Sequence, residues 1–205
     1  MTSSLQQKTI LNGLVLAGGR STRMGEDKAL FQWHGKKQMY YLADLLKQFC
    51  NEVFISCRIE QANSIDKRYK IITDEFENTG PLAAIISAFH QNRNCAWLVV
   101  ACDLPLLDTK TVDYLIQQRD ERVVATTFQS PYDNLPEPLV TIWEPESLPL
   151  LETALAQKKY SPQRVLLSSK IKIIQSNSTH ALLNVNTQEE KEKIGSLIPG
   201  QSSKS

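Results

Sequence analysis

Leu11-Asn12-Gly13-Leu14-Val15-Leu16-Ala17-Gly18-Gly19 is an apolar run that stops at two glycines. An apolar segment this short, closed by a loop signal, has the pattern of a parallel strand buried on both faces. Working outward, Gln38 to Phe49 spaces Met39, Tyr40, Leu42, Ala43, Leu45, Leu46 and Phe49 at helical intervals. Val53-Phe54-Ile55-Ser56-Cys57 then reads as a β-branched and aromatic strand, which completes a β-loop-α-β unit. Lys70-Ile71-Ile72-Thr73 is a further short strand. The helix predicted from Pro81 to about Gln91 opens on a proline, which is tolerated in a first turn because its missing N–H has no helical partner there. Trp97 to Cys102 is apolar throughout, and Asp108 is placed to cap a helix from Lys110 to Gln118.

The alternation continues through strands at Val123 to Thr127 and Leu139 to Trp143, helices at Pro145 to Gln157 and Pro162 to Leu167, a strand at Lys172 to Ile174, and a helix from Gln188 to about Leu197. No internal repeat and no linker divides the chain. The fold class predicted is α/β: a single Rossmann-like, doubly wound, three-layer domain over residues 10–197 with a mainly parallel (mixed) sheet, flanked by flexible tails at 1–9 and 198–205. Ligands of such folds bind beyond the carboxyl ends of the strands, so the residues directly after each strand are the ones to inspect.

Composition bounds what those residues can do. The chain has 205 residues, 41% of them hydrophobic and 22% charged, enough apolar material for a core and too little charge for disorder. With 23 Lys and Arg against 22 Asp and Glu, a net charge of +1 gives no general attraction for nucleic acid or an anionic membrane. Any anion must be gripped locally. The longest apolar runs fall far short of the roughly 20 residues of a membrane helix, and Met1 to Lys8 is polar, unlike a signal peptide. A cytoplasmic location is expected. Cys50, Cys57, Cys95 and Cys102 form no C-x-x-C pair and read as core thiols in a reducing compartment. His34, His90 and His180 are scattered, and with no Ser-His-Asp or Cys-His arrangement they read as packing or solvent-facing residues.

The segment after the first strand, Leu16-Ala17-Gly18-Gly19-Arg20-Ser21-Thr22-Arg23-Met24-Gly25-Glu26-Asp27-Lys28-Ala29-Leu30, combines three glycines with two arginines and a lysine. Glycines let backbone amides approach a phosphate, and the cations neutralise it. The segment lacks the G-x-x-x-x-G-K-[ST] of a P-loop and any G-x-G-x-x-G turn. On composition alone it is either a phosphate cradle or a solvated surface turn. Asp103, at the end of an all-apolar strand, is costly to bury unless it meets a cation or hydrogen-bond donors, though a turn-capping role before Pro105 would also occupy it.

The loop resembles the L-A-G-G-x-S-x-R-M-G-x-D-K-x-L signature of the molybdenum cofactor guanylyltransferase (MobA-like) family, within the nucleotidyltransferase superfamily, and meets every fixed position of it. Asp74, Gly80-Pro81-Leu82-Ala83, Cys102-Asp103-Leu104-Pro105 and Asn184-Val185-Asn186-Thr187 match the family's later blocks in order, so the resemblance covers about residues 10–195. It implies transfer of GMP from GTP to the terminal phosphate of molybdopterin or its molybdenum form, with release of pyrophosphate. It also implies Mg2+ as cofactor, and molybdenum-cofactor biosynthesis proteins and target molybdoenzymes as partners. By the same resemblance Asp103 is the metal ligand and, with Lys28 and Arg23, catalytic. Leu16, Ala17, Gly18, Gly19, Lys28, Asp74 and Asp103 bind the nucleotide, and Gly18, where cytidylyl-transferring relatives carry alanine, favours guanine.

Leu135-Pro136-Glu137-Pro138-Leu139 is similar to the family's proline-containing segment ahead of the strand that faces the second substrate. Asn184 and Asn186, on one face at strand spacing, could hydrogen-bond that substrate, or Asn186 or Thr187 could cap the following helix. The pattern departs from the family at Ser56-Cys57-Arg58, where relatives often carry Asn, and at Ala84, where glycine is common. Two other readings stand beside this one: a transferase for CMP or another nucleotide, and a nucleotide-binding module without catalysis.

Overall fold

The computed structural model describes residues 9–19, 28–76, 79–178, 180–185, 187–195 and 197–198, without the side chains of Lys28 and Gln188. Its centre is a seven-stranded sheet of order β3-β2-β1-β4-β6-β5-β7. The strands are β1 (Leu11–Leu16), β2 (Val53–Cys57), β3 (Lys70–Thr73), β4 (Ala96–Ala101), β5 (Ala125–Gln129), β6 (Pro136–Trp143) and β7 (Ile171–Ile174). β1 pairs in parallel with β2 and β4, β2 with β3 and β5 with β7, while β6 runs antiparallel between β4 and β5. The mixed sheet expected from the sequence is present.

Helices cover both faces: α1 (Gln38–Leu46), α2 (Pro81–Gln91), α3 (Thr109–Gln117), α4 (Leu148–Ala156), α5 (Pro162–Leu167) and α6 (Gln188–Gly195). Successive strand side chains alternate between faces, and the cores show it. Val15, Ile55, Leu98 and Val100 pack with Leu42 and Leu46 of α1 and Val112 and Leu115 of α3. Leu14, Phe54, Trp97 and Val99 pack with Ile85 and Phe89 of α2, Leu151 of α4 and Leu166 of α5. Every residue of β4 is buried, as its uninterrupted apolar run requires. Each fully buried Leu, Ile or Phe contributes about 2 kcal/mol of transfer free energy.

Several boundaries shift from expectation, four of them for reasons the local structure shows. α1 ends at Leu46, and Lys47 to Phe49 form a turn. β5 starts two residues late, at Ala125, because Val124 donates its N–H to Lys170 in the turn before the ladder. β6 begins at Pro136, three residues early, since a strand tolerates prolines at its first residues, where few ladder donors are needed. Pro145 opens a 3₁₀ turn (Pro145–Ser147), and α4 follows with Pro149 in its first turn. Asp108 caps α3 as predicted, accepting from the Thr111 N–H at 2.8 Å.

At the amino end of β1 the chain is tied off. Arg119, just past α3, donates to both oxygens of Glu144 (Nε–Oε1 2.7 Å, Nη2–Oε2 2.8 Å) and, through Nη1, to the Thr9 carbonyl at 2.9 Å. The two side chains are 3% and 1% exposed. All four cysteines are free; Cys57, Cys95 and Cys102 are buried and Cys50 is half-buried. Burial pushes the Cys50 thiol up to about 12 and Cys57 and Cys95 to about 11, so these three stay protonated in the core. Among the described residues no helix is long and apolar enough to cross a membrane.

Candidate nucleotide site at the strand ends

The strand order reverses at β1, whose chain leaves for β2 on one side and whose other neighbour is β4. A crevice forms at such a switch point. Gly18 and Gly19 follow β1 there, and Asp103 follows β4. Leu16 and Ala17 hold the rim, with the Ala17 N–H donated to the Ser56 carbonyl at 2.9 Å.

Asp74 stands next to this turn. Its N–H bonds the Cys57 carbonyl at 3.0 Å, and its Oδ1 accepts from Ser56 Oγ at 2.5 Å. A methyl group on Gly18 would lie 2.8 Å from Asp74 Oδ2, whereas nothing lies within 4 Å of the same position on Gly19. Glycine at 18 therefore makes room for the Asp74 carboxylate, and Gly19 faces open space. Arg58 closes the corner by donating Nη1 to the Gly18 carbonyl and pairing Nε with Glu60 at 2.6 Å. Burial pushes the Asp74 carboxyl above its usual value, against the pull of the Ser56 hydroxyl and the Arg58 charge. The Ser56 and Arg58 contacts were not foreseen; the departure from the family pattern at 56–58 was the only sign that this corner is built differently.

Asp103 opens a segment that α1 and its approach hold in place. Gln38, fully buried, donates Nε2 to the Leu104 carbonyl at 3.1 Å. His34 donates Nε2 to the Pro105 carbonyl at 2.8 Å and stacks on Tyr41 with ring centroids 3.8 Å apart. Tyr41 Oη bonds the Leu107 carbonyl at 3.4 Å. His34 is thus a packing residue, in line with its sequence reading. On the other flank, the Val185 N–H donates to the Asp103 carbonyl at 2.8 Å, so the predicted metal ligand and the Asn184 segment lie together.

Asn184 lies in an irregular stretch before α6, not in a strand. Its backbone N–H donates to Tyr132 Oη at 2.9 Å, and its Oδ1 is enclosed without a hydrogen-bond partner. Thr187 takes the capping role: its Oγ1 accepts the Glu190 N–H at 3.2 Å while its own N–H donates to Glu190 Oε2 at 3.0 Å. Phe31, Trp33, Val185, Ile194 and Ile198 form a small core that fastens α6 over the chain following the glycine loop. Lys28 opens a 3₁₀ turn (Lys28–Leu30). Arg20, Arg23, Asp27 and Asn186 lie outside the described residues, as does the side chain of Lys28.

Gly80 precedes α2 with φ of 64°, a left-handed conformation that favours glycine, and Pro81 takes the first helical position. Pro81 also borders a cavity of about 460 Å³ whose lining includes Tyr132, Glu137, Gln163 and Asn184. Glu137 was met in the sequence only as part of the Leu135 to Leu139 segment.

A parallel-rich sheet with a glycine turn and strand-end carboxylates around its switch point has the architecture of a nucleotide-handling α/β protein. The MobA-like NTP transferase domain model matches residues 13–173. A molybdenum cofactor biosynthesis bifunctional protein from Synechocystis is 32% identical over 91% of this chain, which spans only 54% of that relative's length. Molybdenum cofactor guanylyltransferases from Pseudomonas entomophila and Pseudomonas putida are each 31% identical, over 76% and 86% of this chain and 82% and 93% of theirs. Among solved structures, molybdopterin-guanine dinucleotide biosynthesis protein A from Archaeoglobus fulgidus superposes with a TM-score of 0.77 at 22% identity, covering 91% of this chain and 97% of its own. This chain belongs to the MobA-like NTP transferase family, and it is a nucleotidyltransferase.

Proposed function

We propose that the chain transfers GMP from GTP to the terminal phosphate of molybdopterin, in its metal-free or molybdenum form, and so makes the guanine dinucleotide of the cofactor. A phosphate oxygen of the acceptor attacks the α-phosphorus of GTP, the bond from that phosphorus to the bridging oxygen breaks, and pyrophosphate leaves with the electron pair. The acceptor phosphate is already ionised near neutral pH, so the protein's task is positioning and charge neutralisation. The observation that carries this reading is the glycine turn at the end of β1, with Asp74 against Gly18 on the β2 side and Asp103 following β4 on the other, in a chain whose relatives are named guanylyltransferases.

In this reading Leu16, Ala17, Gly18 and Gly19 offer backbone groups to the nucleotide, and Asp74 accepts from the base or ribose of guanosine. Lys28 and Arg23 contact the phosphates, Asn184 and Asn186 face the acceptor, and Asp103 holds magnesium. Among the described residues no group of three or more acidic, His or Cys side chains could cage a metal. A lone strand-end carboxylate suits an ion held largely by substrate phosphates, as magnesium commonly is. When bound, magnesium supplies charge neutralisation to the phosphates. The core thiols suit a reducing cytoplasm, and the proteins that make or use the cofactor are the expected partners.

The test is pyrophosphate release from each nucleoside triphosphate with and without molybdopterin. GTP consumption that depends on molybdopterin is expected. Consumption of CTP in place of GTP would make the chain a cytidylyltransferase, and nucleotide binding without turnover would make it a non-catalytic module.

A further inference from the structure

We propose that Glu137 reads the amino-amide edge of the acceptor's pterin ring in the cavity at the start of β6; the identity of the acceptor rests on the function proposed above. Glu137 is only 7% exposed although it lines that cavity. One of its carboxylate oxygens accepts the Leu139 N–H at 3.1 Å. The other has no hydrogen-bond partner among the described residues. That oxygen opens onto the cavity and is not among the enclosed, unpartnered atoms, so it can accept from a ligand that brings donors.

The chemistry of the walls selects the ligand's end. Asp133 joins Glu137 in the lining, and no Lys or Arg is present among the described lining residues. The charges of Asp103 and Asp133 add to burial in raising the Glu137 carboxyl above its usual value. An incoming phosphate would meet these carboxylates and be repelled, so the anionic end of the acceptor stays at the glycine loop. The ring end is different in kind: a 2-amino-4-oxopteridine presents its 2-amino group and N3–H side by side, two donors at the spacing of a carboxylate's two oxygens. The oxygen already bound to Leu139 retains a second lone pair. Tyr132 and Tyr160 supply flat aromatic surface at the cavity, with Tyr132 fixed by the Asn184 N–H at 2.9 Å. The enclosed, unpartnered Asn184 Oδ1 offers one more acceptor on the side nearest Asp103. The acceptor would then lie from Glu137, past Asn184, to its phosphate at the glycine loop.

The experiment uses the full chain and two free ring probes followed by fluorescence titration: pterin, and lumazine, which carries oxygen in place of the 2-amino group. Wild type is expected to prefer pterin by about tenfold or more, the loss of a hydrogen bond to a charged group. Glu137→Gln should erase the preference and raise the KM for molybdopterin by about tenfold while leaving the KM for GTP within about twofold, with folding checked by thermal melting. Equal binding of the two rings by wild type, binding of neither up to millimolar concentration, or a Gln variant that keeps the preference would each overturn the assignment. Because the probes carry no phosphate and need no turnover, the outcomes separate. Preference for pterin in a protein that transfers no GMP would defeat the guanylyltransferase reading and leave the Glu137 assignment standing.

Discussion

The two ends of the sheet handle buried charge in opposite ways. At the amino end of β1, Arg119, Glu144 and the Thr9 carbonyl form a closed set in which a bidentate ion pair is fully buried and bonded. At the carboxyl ends, Asp74 is half-buried and Glu137 buried, with only one side-chain oxygen of each engaged by a hydrogen bond from Ser56 or Leu139, and desolvation raises both carboxyls. A fold optimised only for stability would pair such groups or replace them. The difference teaches where function sits: the closed end holds the chain together, and the open end keeps acceptor and ligand capacity for substrates.

The sharpest way to break the contrast is at the closed end. Arg119→Ala strands a buried Glu144 and is expected to lower stability by about 3–5 kcal/mol in chemical denaturation, with turnover per folded molecule unchanged. At the open end, Gly18→Ala drives a methyl group to 2.8 Å from Asp74 Oδ2. The carboxylate must move from Ser56, and the KM for GTP is expected to rise by about tenfold with less than about 1 kcal/mol lost in stability. Equal damage to stability from both variants would erase the distinction.

Glu137→Gln runs the other way and should stabilise the protein by about 1 kcal/mol at neutral pH by removing an incompletely satisfied buried charge. The sign follows from linkage. A carboxyl raised in the folded state binds its proton there to higher pH than in the unfolded chain, so wild type loses stability as pH rises through the folded value. The advantage of Gln should therefore appear above that pH and vanish below the ordinary carboxylate range.

The smallest effect belongs to neither end. His90 bridges Glu75 at 2.7 Å and Glu152 at 3.0 Å on the outer side of α2. Burial lowers its proton affinity, but the two carboxylates outweigh it and the pKa is raised. Its contribution is full below an unfolded value of about 6.5 and is lost as pH rises through the folded value. Half-buried and partly salt-screened, it is worth less than about 1 kcal/mol, and His90→Gln should flatten that part of the pH–stability curve.

Much of this architecture is legible in the sequence because the central strands are buried on both faces and the helices carry clear periodicity. β2, β3, α2 and α5 have the predicted bounds. The reach of β6 back to Pro136 was not legible, since prolines in a strand's first residues look like a loop until a neighbour supplies the pairing. Asp74 and Asp103 were legible as carboxylates placed directly after strands. The hold of Ser56 and Arg58 on Asp74 and Gly18 was not, because it joins residues from three separate strand ends. Glu137 was seen only as a member of a proline segment, since its isolation from donors is a property of the folded cavity.

The most direct test of the division between the ends is Asp103→Asn, measured both as pyrophosphate release from GTP with molybdopterin and as thermal stability in the same preparation. The side chain keeps its size and loses its charge, so turnover should fall by at least about a hundredfold while the melting temperature stays within about 2 °C or rises. Retained turnover, or a melting temperature lowered as far as that of Arg119→Ala, would contradict the assignment of catalysis to the open end of the sheet.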